Sequence, residues 1–77
     1  MKLYGYAEGY REEENPKIHT LGEVTLSASP NELKKIAQFF IHTASQMEKY
    51  GTDYGHEHLS DFDDIFSYKS DIIISSL

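Results

Sequence analysis

The chain has 77 residues, no cysteine and a formal charge of −6. This length bounds the protein to one domain with a modest core, and the missing cysteine excludes disulfides and thiolate metal sites, leaving His, Asp and Glu as the ligand types available to a metal. The acid excess is uneven, with five basic against six acidic residues in 1–35 and two against seven in 36–77, which disfavours contacts to nucleic-acid phosphates and favours a basic partner.

Lys2–Ala7 reads as a short strand, with Leu3, Gly5 and Ala7 on one face and Tyr4 and Tyr6 on the other. A polar connection follows, punctuated by Gly9 and Asn15-Pro16, in which Glu12, Glu13 and Glu14 repel one another. The second strand is expected within Ile18–Ala28, strongest over Glu23–Ser27, where Val24, Leu26 and Ala28 alternate with Glu23, Thr25 and Ser27. The two strands are expected to pair as an antiparallel hairpin. Ser29-Pro30-Asn31-Glu32 then carries a helix-start signature: a capping serine, a proline at the first helical position and a glutamate that completes the capping box. The helix is expected to end near Tyr50, before Gly51. Its apolar stripe reads as Leu33, Ile36, Ala37, Phe40, Ala44 and Met47 with Ile41 on the flank, opposite Lys35, Gln38, His42, Gln46 and Lys49.

After the helix, Asp53–Asp64 holds two histidines and five acids with no lysine or arginine. Asp61–Tyr68 reads as a short helix or irregular loop, with Phe62, Ile65 and Phe66 spaced for one turn against the core, and Asp71–Ser76 as a β-branched strand. The expectation is a single α+β domain over 1–77, in β-β-α-β order: a two-layer sandwich with a small three-stranded sheet packed on one long helix. The uncovered sheet face would carry Tyr4, Tyr6 and Ile73, with Leu21 beside them, a surface for a partner or for a homodimer. Met1–Glu8 has no apolar run of signal-peptide length and no segment approaches the ~20 apolar residues of a membrane span, so a cytoplasmic protein with no membrane association is expected.

Chemistry concentrates at His56 and His58, which fall on one side of an extended chain. With Asp53 or Asp61 they offer an N/O ligand set for zinc, nickel or iron(II), although no further ligand is fixed by the spacing. The same histidines beside Glu57 or Asp61 can move a proton, or can pin a loop to the helix C-terminus through hydrogen bonds. His42 and His19 read as ordinary surface residues. Asp61, Asp63 and Asp64 lack the glycine and spacing of a calcium loop. No phosphate-binding loop, nucleophile elbow or dinucleotide fingerprint is present, and no cofactor is called for. Aromatics among acids, at Tyr54, Phe62, Phe66 and Tyr68, suit a protein-binding surface.

The run Leu21–Ala37, with Met47–Leu59, Asp61 and the terminal Asp71–Ile74, resembles the immunity proteins of bacterial polymorphic toxin systems, specifically the immunity protein 32 family. The similarity covers about residues 21–74, and its most specific piece is His56-Glu57-His58-Leu59. It implies a small α+β protein that neutralises a cognate toxin by binding it, without catalysis. The contact patch expected on the residues is Tyr54, His56, Glu57, His58, Asp61, Asp63 and Asp64, with carboxylates facing a basic toxin and Tyr54 as anchor. A metal-binding domain centred on His56 and His58, or a homodimeric interaction module, are the alternatives.

Overall fold

The structure is a computed structural model, and it describes residues 1–67 and 70–77. The N-terminal hairpin pairs β1 (Leu3–Gly5) with β2 (His19–Leu21) in antiparallel register, Leu3 opposite Leu21 and Gly5 opposite His19. The long connection contains a single 3-10 turn at Tyr10–Glu12, which stacks the Tyr10 ring on Tyr6 at 4.6 Å. Helix α1 (Pro30–Tyr50) forms the spine. A second antiparallel hairpin pairs β3 (His56–His58) with β4 (Ile73–Ser75). Between its strands lie α2 (Leu59–Phe62) and a 3-10 turn at Asp64–Phe66.

Two separate two-stranded sheets therefore replace the expected three-stranded one. Two local facts account for the difference. The residues with the clearest alternation, Glu23–Ser27, form no strand; the chain is exposed there, with Val24 and Leu26 facing solvent. And β4 finds its partner in the His56–His58 segment that follows α1 rather than in the N-terminal hairpin. A strand next in sequence is cheaper to pair than one across the whole chain. Tyr4 and Ile73 consequently belong to different sheets, so the open face expected to join them does not exist. The N-terminal hairpin makes little contact with the helices or the second hairpin.

The helix begins and ends where its local chemistry dictates. The Ser29 hydroxyl accepts from the Glu32 N–H at 3.1 Å, and the Glu32 carboxylate accepts from the Ser29 N–H at 2.8 Å. That contact holds the Glu32 carboxyl below its usual range. Gly51 closes the other end with φ of 55°, a conformation that favours glycine, and its N–H donates to the Met47 carbonyl.

The buried face of α1 is rotated from the expected stripe. Ile36, Phe39 and Thr43 are buried, with Phe39 fully so, and Lys35, His42 and Gln46 are half-buried beside them. Leu33, Ala37, Phe40, Ile41 and Ala44 are exposed instead. The helix has more apolar arc than the small C-terminal unit can cover. The unit docks where Phe39 and Ile36 meet Leu59, with Phe66, Ile72 and Ile74 packed around them. Lys35 is drawn into that side by Asp63 at 2.9 Å, and His42 by Glu57 at 3.1 Å. Thr43 is satisfied within the helix, its hydroxyl donating to the Phe39 carbonyl.

Candidate functional site

Strand β3 places His56 and His58 two residues apart, and their ring centroids stand 5.2 Å apart with the planes inclined at 61°. Glu57, between them, reaches α1, where its carboxylate accepts from the His42 Nε2–H. Asp61 and Phe62 come from α2, and the Phe62 ring lies 5.2 Å from His42 and 5.5 Å from Phe39. Together His42, His56, Glu57, His58, Asp61 and Phe62 line a shallow, open cleft of about 550 Å³. A smaller depression of about 290 Å³ adjoins it, lined by Tyr54, Gly55, His56 and Glu57 with Gln46, Tyr50 and Asp53.

Asp71 is the anchor beneath this cleft. It is largely shielded and accepts hydrogen bonds from His58 Nδ1–H at 2.8 Å, the Ser60 N–H at 3.0 Å, the Ser60 hydroxyl at 2.9 Å and the Ile72 N–H at 2.9 Å. Burial pushes its carboxyl up, but the donors from His58, Ser60 and Ile72 together hold it below its ordinary value. An ionised Asp71 accepts from a protonated His58 Nδ1, which fixes the ring orientation. The Leu59 N–H also donates to the Ile72 carbonyl at 2.8 Å, closing the start of α2 against β4.

Ser60, His58 and Asp71 are the residue types of a hydrolytic triad, but their order is wrong for one. Both the serine hydroxyl and the imidazole donate to the aspartate, so Asp71 sits in the middle and, among the described residues, no hydrogen bond joins the Ser60 hydroxyl to a histidine. The arrangement locks a turn. Nor is the metal reading carried by the geometry. His58 Nδ1 and His42 Nε2 are both committed to carboxylates, and among the described residues no group of three or more His, Asp or Glu side chains is placed to hold a metal ion.

The seven residues singled out from the sequence divide into two groups. His56, Glu57, His58 and Asp61 are gathered around the cleft, and Tyr54 borders it. The Tyr54 hydroxyl donates to the Ile74 carbonyl at 3.0 Å, and burial with the nearby Glu57 charge raises its pKa. Asp63 and Asp64 do not line the cleft. Asp63 is engaged by Lys35 and accepts from the Ile65 N–H, contacts that lower its pKa, while Asp64 is exposed at the start of the 3-10 turn. His42 and Phe62 are the additions. His42 reads as a surface residue because nothing local announces that β3, fifteen positions on, will return to it. Tyr68 lies outside the described residues.

The cleft is thus acidic and rich in imidazole, and it sits on a small α+β scaffold. Residues 23–75 match the family model described as Immunity protein 32. The chain belongs to that family, and is by that membership an immunity protein. The match begins after the N-terminal hairpin and takes in α1, the second hairpin and every residue of the cleft. No curated protein and no solved structure matches the chain. No helix among the described residues is long and apolar enough to cross a membrane.

Proposed function

We propose that this protein binds a cognate bacterial toxin and neutralises it by masking a functional surface, without catalysis and in the cytoplasm. The observation that carries the reading is the gathering of His56, Glu57, His58 and Asp61 with His42 and Phe62 in one open cleft on a chain of net charge −6. Tyr54 borders this patch as an anchor, and the exposed Asp64 adds negative charge beyond it, with Asp63 held by Lys35. Carboxylates on such a rim speed encounter with a cationic surface, while the apolar and aromatic groups at the centre hold it. Family membership supports the class of partner, and the charge balance supports a basic one. The Ser60–Asp71–His58 network supports binding without turnover, because it rigidifies the cleft instead of activating a group in it.

The test begins with the chain immobilised and exposed to lysate of its own host, with captured proteins identified by mass spectrometry. The expected result is one basic protein that is released by high salt, is toxic when expressed alone and is harmless when co-expressed with this chain. Failure of this chain to relieve the toxicity of any captured protein contradicts the proposal.

A further inference from the structure

Rotation of the buried face leaves α1 with an apolar surface that its own domain does not use. Leu33, Phe40 and Ile41 keep 45, 43 and 70% of their surface exposed, and Ala37 and Ala44 are exposed between them. Leu33, Ala37, Phe40, Ala44 and Met47 are spaced four, three, four and three residues apart, the alternation of a helix–helix seam. Lys34, Ile41 and Glu48 run along one flank of that seam at intervals of seven, and all three are exposed. On the other flank, Ile36 and Thr43 are already buried in the protomer's core. A second helix can therefore approach only from the Ile41 side.

We propose that this face pairs with a second copy of the same chain, α1 against α1, antiparallel about a two-fold axis through Ile41. Charge selects both the occupant and the direction. Under that two-fold, Lys34 of one protomer faces Glu48 of its partner, and the reciprocal pair forms on the other side of the axis. Ile41 meets Ile41, and Phe40 packs beside the small Ala37 and Ala44 side chains, which let the two backbones approach. A parallel pair would instead set the Lys34, Ile41 and Glu48 flank against Ile36 and Thr43, which are not accessible. The interface is isologous, as a closed dimer requires, and with one residue of each sign per protomer it adds no like-charge repulsion. At 100° per residue, Lys35 and His42 lie on the far side of α1 from this seam. The dimer thus keeps both clefts open, and the inference stands independently of what the cleft binds.

The test is sedimentation equilibrium of the full chain from micromolar to millimolar concentration at low salt, with helicity followed by circular dichroism. The wild type is expected to show a reversible monomer–dimer equilibrium, and Ile41→Asp to be monomeric with unchanged helicity. Lys34→Glu and Glu48→Lys are each expected to weaken the dimer on the order of fivefold, and the double variant to restore it. Both single changes place the charge sign that the helix dipole favours at its end, so neither is expected to unfold α1. A monomer at every concentration, a dimer indifferent to Ile41→Asp, or a double variant no better than the singles would overturn the proposal.

Discussion

Asp71 shows how one side chain can organise a small domain. It satisfies donors from β3, the first turn of α2 and Ile72 just before β4 at once, and each would otherwise need water. Asp71→Ala removes the acceptor while leaving those donors partly shielded, and is expected to cost about 2 kcal/mol in urea unfolding at neutral pH. Because the folded carboxyl is held below its ordinary value, its contribution is complete above the unfolded pKa and disappears as pH falls through the folded one. The gap between wild type and Asp71→Ala should therefore narrow as pH falls from about 5 to below about 4. A gap that grows on acidification would contradict the assignment. Phe39 makes the complementary apolar point. It is fully buried against Leu59 and Phe62, and Phe39→Ala is expected to cost about 3–5 kcal/mol, enough to unfold a domain of this size.

At the scale of the element, α1 separates what is local from what is not. Its start and stop were legible because Ser29, Pro30, Glu32 and Gly51 act within a turn of their own positions. Ser29→Ala should accordingly cost about 1 kcal/mol in thermal or urea unfolding. Its buried face was not legible, since the apolar arc from Phe39 round to Ile41 is wider than one interface needs. The observed orientation brings Lys35 to Asp63 and His42 to Glu57, partners 28 and 15 residues away. Phe39→Ala and Phe40→Ala discriminate the two faces. The structure predicts a severe loss for the first and under about 1 kcal/mol for the second, whereas the stripe centred on Phe40 predicts the reverse. Sheet pairing was hidden for a similar reason. Val24 and Leu26 alternate as a strand should, yet find no partner, while His56–His58, too polar to advertise a strand, pairs with the β-branched Ile73–Ser75. Of the candidate site, the His/acid cluster was visible as composition. The inclusion of His42 and Phe62, and the diversion of Asp63 to Lys35, depended on that unreadable docking.

For the whole molecule, the division between the N-terminal hairpin and the rest matters most. The family match starts at residue 23, and the hairpin formed by residues before it shares little contact with the helices or the second hairpin. A chain of residues 23–77 is therefore expected to keep the helical circular dichroism of α1 and the toxin affinity of the whole protein; loss of either would show that the hairpin belongs to the core or to the site. The proposed function places toxin recognition at the cleft. Its most direct measurement is the affinity of the captured toxin for wild type and for Glu57→Gln/Asp61→Asn, followed against salt concentration. Binding by the variant is expected to be weaker by about tenfold or more at low salt, with a shallower salt dependence. Equal affinity and an equal salt slope, with the variant folded, would contradict it.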